Sequence, residues 1–185
     1  MTRFTITLLL TFSTLSIAWS QKVKHPPINN LKGVMLLVKN DNAQERFSVE
    51  ANLGKIFATF NMPLLLSINM IKQGEPLKEL ASARVQNEMN AKNINSVLVV
   101  SIRGFDQRFK PRTKMPATLE EALEEGNLYP LSQEEATTVT IEFIQFVNGK
   151  FNGYHMMRVG NASEKNKVYT KIQKKLNRQM TKWIL

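Results

Sequence analysis

The segment Asn61–Ile102, NMPLLLSINMIKQGEPLKELASARVQNEMNAKNINSVLVVSI, most restricts the folds open to this chain. Its hydrophobic period changes twice. Leu64–Ile71 is a short apolar run between Pro63 and Gln73-Gly74, which fits a mostly buried strand. From Leu77 the apolar residues Leu77, Leu80, Ala81, Val85 and Met89 recur at steps of three and four, forming one stripe on a helix. Pro76 suits the first turn of that helix, where its missing N–H would be unpaired anyway. Lys92-Asn93 supplies a stop, a cation followed by a residue that tolerates left-handed backbone. Ser96–Ile102 is short and β-branched, as a central strand should be. A strand, a helix and a strand joined by short connections imply two parallel strands in one sheet with a right-handed crossover.

The flanking sequence extends this unit. Gly33–Val38 reads as a buried strand that ends in the polar turn Lys39–Asn42. From Gln44 to Phe60 the helical period returns, with Val49, Leu53, Ile56, Phe57 and Phe60 on one face. Asp41 or Asn42 is placed to cap that helix, with Glu45 in its first turn. Thr118 and Glu121 match a capping box, so the acidic stretch Thr118–Gly126 is expected to be a short helix. Thr137–Val147 alternates as a strand, Asn148-Gly149 is a two-residue hairpin signal, and Lys150–Val159 returns as its partner. Glu164–Trp183 is the last helix, with Val168, Ile172, Leu176, Met180 and Trp183 as its apolar stripe. Residues 33–185 are therefore expected to form a single α/β domain. Its order is β-α-β-α-β, then a β-hairpin and a C-terminal helix, on a mixed sheet of about five strands.

Met1–Ser20 stands apart. Arg3 precedes an apolar, Thr/Ser-rich middle, and Ala18-Trp19-Ser20 places small residues before Gln21, the pattern of a secretory signal peptide. A membrane anchor is the alternative, but the apolar stretch is short and interrupted by Thr and Ser. The expected location is thus secreted or periplasmic. The sequence has no cysteine, so stability has to come from an ordinary core, without disulfides or attachment of lipid to a cysteine. Removing the signal takes away Arg3 and changes the formal charge from +10 to +9. Gln21–Lys32, with Pro26-Pro27, reads as an extended lead-in, and His25 within it as solvated.

Two basic regions are the candidate binding surfaces. Arg103–Lys114 interleaves Arg103, Arg108, Lys110 and Arg112 with Phe105 and Phe109, one footprint of nucleic-acid or polyanion binding. The alternative continues the strand past Ile102, with the aromatics packed inward and the cations in water. The glutamates of Thr118–Gly126 are placed to neutralise this loop in cis. On the last helix, Lys171, Lys174, Lys175 and Arg178 lie away from the apolar stripe. Such a helix can rest on an anionic surface, or it can dock its stripe on the sheet and show its lysines to water.

Other chemistries find less support. Asn40–Asn42 joins a strand to a helix start, where open sheets bind anions, but no glycine-rich loop or Lys-Ser/Thr pair follows. His155 and His25 are the only histidines, so a zinc site would depend on carboxylates from elsewhere, and neither a metal nor a small-molecule cofactor is expected. No Gly-x-Ser-x-Gly and no His-Glu-x-x-His occurs, so a hydrolytic enzyme is the least supported class. Asn161-Ala162-Ser163 fits a glycosylation acceptor, with Ser163 as a helix cap the simpler use.

The layout resembles the small envelope α/β domains of the TolB amino-terminal region, of penicillin-binding-protein activator lipoproteins and of the curli secretion lipoprotein CsgG. Three stretches carry it: Gly33–Phe60, the strand Asn95–Val100 after the second helix, and Val147-Asn148-Gly149-Lys150 before a strand and a long helix. The resemblance implies a non-enzymatic accessory or docking module with no catalytic residues to transfer. Neither a lipidation cysteine nor a propeller is present, so lipid anchoring and the TolB-type role do not carry over. The expected partner is an envelope protein. The rival is a polyanion binder acting on nucleic acid, anionic lipid or cell-wall polymer. An edge strand left by the hairpin could also pair with another chain, as a homodimer or by strand addition.

Overall fold

The computed structural model describes residues 25–40, 42–71, 75–105, 111–125, 138–160 and 165–185. The signal sequence, Gln21–Lys24, Asp41, Gln73-Gly74, the loop residues Arg108, Phe109 and Lys110, and Asn161–Ser163 lie outside them.

Five strands form one mixed sheet in the order β2-β1-β3-β4-β5. They are β1 (Val34–Val38), β2 (Leu64–Leu66), β3 (Ser96–Phe105), β4 (Thr138–Val147) and β5 (Lys150–Gly160). β1 pairs in parallel with both β2 and β3, while β3–β4 and β4–β5 are antiparallel. The helices are α1 (Ala43–Ala58), α2 (Ala83–Ala91), α3 (Leu119–Glu124) and α4 (Lys165–Ile184). The expected fold class and element order are those found.

Alternation along the strands divides the core. Val34, Leu36 and Val38 of β1, Leu98 and Val100 of β3, and Ile141 and Phe143 of β4 face α1 and α4. Met35 and Leu37, Val97 and Val99, and Ile144 and Phe146 face α2 and α3. All residues of β4 except Val147 are buried, because helices cover both sides of the sheet. Of the stripes read from the sequence for the first and last helices, Phe60 is partly buried, the Val168 side chain is outside those described, and the other positions are buried. Val49, Leu53, Ile56 and Phe57 of α1 and Ile172, Leu176, Met180 and Trp183 of α4 lie within 8 % exposure. The last helix therefore docks on the sheet.

Asn42 caps α1, its Oδ1 accepting the N–H groups of Gln44 and Glu45. Thr118 caps α3 through the N–H of Glu121, and the Glu121 carboxylate accepts the N–H of Ala117, much as the capping signature requires. At the hairpin, Asn148 and Gly149 both take positive φ, 50° and 75°, which a two-residue turn between twisted strands demands.

Three expectations are corrected. Leu64–Ile71 is not one strand. β2 ends at Leu66 and Ser67–Asn69 forms a 3-10 turn, because the Glu50 carboxylate takes up Ser67 Oγ and the Ile68 N–H. The helix from Leu77 is broken. Leu77–Ala81 is a 3-10 helix preceded by Pro76 in extended conformation, and Ser82 is also extended before α2 begins. Leu80, Val85 and Met89 are nevertheless buried, so the stripe sets the packing even where the helix does not run through.

The third correction concerns the lead-in. His25 is half-buried, not solvated. Its Nε2 donates to the Arg112 carbonyl, and its ring meets Phe151 and Tyr154 edge-on. Ile28 and Leu31 are core residues at 2 % and 0 % exposure. The segment is held by Tyr154 N–H on the Pro26 carbonyl, Leu31 N–H on the Trp183 carbonyl, and Gln145 Nε2 on the Asn29 carbonyl. A Cβ on Gly153 would stand 2.7 Å from the Ile28 Cα, so this close approach of two backbones requires glycine.

Candidate functional site

The connection from β1 leads to β2 on one side of it, and that from β3 leads to β4 on the other. The carboxyl ends of β1 and β3 are thus the point where the connections diverge, the usual ligand crevice of an open α/β sheet. In this chain the crevice holds its own charged side chains. Ser101 of β3 stands in register with Glu142 of β4, and both point toward α3. Glu142 is fully buried. Its carboxylate accepts from Arg112 Nε at 3.0 and 2.9 Å, from the Tyr154 hydroxyl at 3.0 Å and from Ser101 Oγ at 3.3 Å.

Arg112 joins this group to α3. Its Nη1 pairs with the Glu125 carboxylate just beyond that helix. Lys39, the residue after β1, donates Nζ to the Ala122 carbonyl at 2.6 Å and lies 4.0 Å from Glu125. Burial works against the Arg112 charge, but the carboxylates of Glu142 and Glu125 outweigh it and hold its pKa above the ordinary value. Burial, reinforced by the Glu142 charge, pushes the Tyr154 phenol up. Tyr154 is therefore a hydrogen-bond donor at neutral pH. The group has the donors and acceptors of a polar active site, but each is engaged within the fold.

A second buried carboxylate, Glu50 of α1, lies where β2 turns away from β1. It accepts from the Val38 N–H at 2.9 Å, the Ile68 N–H at 3.1 Å and Ser67 Oγ. Desolvation raises its pKa in spite of those bonds. His155 of β5 packs 5.5 Å from the Trp183 ring centre and 6.3 Å from that of Phe143. Burial lowers its pKa, and Lys182 lowers it further. Among the described residues no cluster of three His, Asp or Glu side chains could hold a metal ion.

The residues proposed from the sequence separate. Arg103 and Arg112 are partly buried beside Tyr154 and Glu142, and Phe105 ends β3, its side chain not among those described. Arg108, Phe109 and Lys110 lie outside the described residues. On α4, Lys174, Lys175 and Arg178 are exposed and Lys171 is half-exposed. Lys171 Nζ donates to the Gly160 carbonyl at 2.9 Å, and Lys175 Nζ to the Arg158 carbonyl, both on the outer edge of β5. Sequence reasoning missed Glu142 and Glu50. The signal was available, since each is a carboxylate within an apolar pattern, Glu142 between Ile141 and Phe143 in TVTIEFIQFV and Glu50 beside Val49 on α1.

Among the described residues no helix is long and apolar enough to cross a membrane. No protein-family model matches the chain, and no curated protein matches it. Among solved structures it is similar to a PelC dodecamer from Paraburkholderia phytofirmans. The identity is 11 %, the match covers 83 % of this chain and 91 % of that one, and the TM-score is 0.43. The chain itself is a single α/β domain on a five-stranded mixed sheet.

Proposed function

We propose that this chain is an extracytoplasmic, non-enzymatic docking module of the cell envelope. The observation that carries the reading is the saturation of the Arg112–Glu142–Tyr154 group. General acid–base work needs a group that can reach a substrate proton, whereas the Glu142 lone pairs face three internal donors. The pattern of Met1–Ser20 supports export. The layout that it shares with small envelope domains supports an accessory role, with a protein as partner.

A second reading keeps a specific observation of its own. Lys174, Lys175 and Arg178 are exposed along one side of α4, and the whole chain carries +10. That surface favours an anionic polymer or lipid, with affinity that falls steeply as salt displaces the contacts. Affinity purification of the tagged chain from an envelope extract, at low and at high salt, separates the two. A defined protein retained at high salt is the expected result. Recovery of polymer or lipid alone, lost as salt rises, would transfer the function to the basic face and overturn the docking module.

A further inference from the structure

A groove of about 350 Å³ lies beside the first turns of α1, lined by Ala43, Gln44, Arg46, Phe47, Ile68 and Ile71. Arg46 is 7 % exposed, and its Nε has no hydrogen-bond partner. Among the described residues it enters no ion pair. A guanidinium cannot shed its proton, so a buried one with an open donor is unfavourable until an acceptor completes it. Glu50, one turn further along α1, attracts it through space, but the Glu50 oxygens are taken by Val38, Ser67 and Ile68.

The rest of the lining fits the same ligand. The groove opens at the amino-terminal end of a 16-residue helix, where the backbone dipoles favour negative charge. Glu45, the acid of that first turn, is engaged by Asn40 Nδ2 at 3.0 Å and does not line the groove. Phe47 stands 58 % exposed at its wall, with Ile68 half-exposed and Ile71 buried behind it. A guanidinium fork set into an apolar wall matches a carboxylate carried beside an apolar group.

We propose that this groove binds an acidic–apolar segment of a partner protein, one carboxylate on Arg46 and the adjoining apolar side chain on Phe47 and Ile68. The inference rests on the docking-module reading and gives that module its site and the chemistry of its partner. The positive charge of the chain attracts an acidic partner at long range, and the groove supplies the short-range selection.

Amide spectra of the 15N-labelled chain test it, with the capped tripeptide acetyl-Leu-Glu-Leu-amide as probe and its Gln counterpart and decanoate as controls. The Glu peptide should shift Ala43–Phe47, Ile68 and Ile71 and bind about tenfold more tightly than the Gln peptide, the difference expected of a charge-assisted bond. Arg46→Lys should weaken it severalfold, and Phe47→Ser, at an exposed position, should weaken it without unfolding the chain. Equal binding of the two peptides, shifts confined to α4, or no effect of Phe47→Ser would overturn the proposal. Decanoate shifting the same amides as strongly would overturn the protein partner, and concentration-dependent shifts without probe would assign the groove to a second copy. Should Phe47→Ser chain still retain an envelope protein at high salt, the groove fails while the docking module stands. Should the unaltered chain retain none, the module itself fails.

Discussion

The Glu50 carboxylate of α1 accepts the backbone N–H of Val38 in β1 at 2.9 Å. Two residues earlier, Leu36 is the last residue of β1 paired with β2. A side chain of the covering helix thus supplies the acceptor that the departing neighbour strand no longer offers. Because the same carboxylate also receives Ser67 Oγ and the Ile68 N–H, it holds the split between β1 and β2 at one width.

Glu50→Ala leaves those donors buried without an acceptor. Each unsatisfied buried group costs about 1–3 kcal/mol, so a loss of about 3 kcal/mol in unfolding free energy is expected by urea denaturation at neutral pH. Glu50→Gln keeps one acceptor oxygen and should lose less. Equal stability of the alanine variant would show that the split does not depend on this carboxylate.

Arg112 and Glu142 are 30 residues apart and meet through both carboxylate oxygens. Removing one partner strands the other charge in the core. Arg112→Met or Glu142→Gln alone should each cost about 3–5 kcal/mol, and the double variant less than the sum of the two. Additive losses in the double-mutant cycle would mean the two charges act separately.

Gly153 lies under the lead-in, with the Ile28 backbone in the space a Cβ would need. Gly153→Ala should displace residues 26–29 from the β5 edge and expose the bonds to Tyr154 and Gln145. The expected result is a lower melting temperature, with hydrogen exchange at the Tyr154 amide faster by about tenfold or more. Protection equal to that of the unaltered chain would overturn the assignment.

His155 has a lowered pKa because it is buried, with Lys182 adding to the effect. Its folded value lies below the ordinary 6.5, so between the two the unfolded chain binds the proton and the folded chain does not. Stability contributed by the neutral ring is therefore present above pH 6.5 and is lost as pH falls through that window. His155→Phe should reduce the difference in unfolding free energy between about pH 7.5 and pH 5. An unchanged difference would place the pH dependence on other groups. Glu50 acts in the opposite sense, since its pKa is raised and its proton-linked stabilisation is lost as pH rises above 4.5.

What the sequence determined by itself was the set of elements and their buried sides. A period of three and four in Ala43–Ala58 and Lys165–Ile184 dictates which residues leave water, because one face of each helix must be covered, while Thr138–Val147, buried on both sides, sorts its side chains between the two faces of the sheet. Asn148-Gly149 dictated the hairpin through the backbone angles that only such residues take easily. Tertiary structure alone decided what local periodicity cannot encode. Leu64–Ile71 is apolar enough for a strand, yet it turns at Ser67 because Glu50, distant in sequence, offers its donors a buried acceptor. The lead-in is polar enough to be solvated, yet Gly153 and Gln145 give Ile28 and Asn29 a place in the sheet edge. Arg112 belongs by composition to a wet basic loop, and it is turned inward because Glu142 and Glu125 converge on it when β4 and α3 pack. Each of these outcomes depends on a partner brought near by the fold, and its energy exists only once the chain has closed.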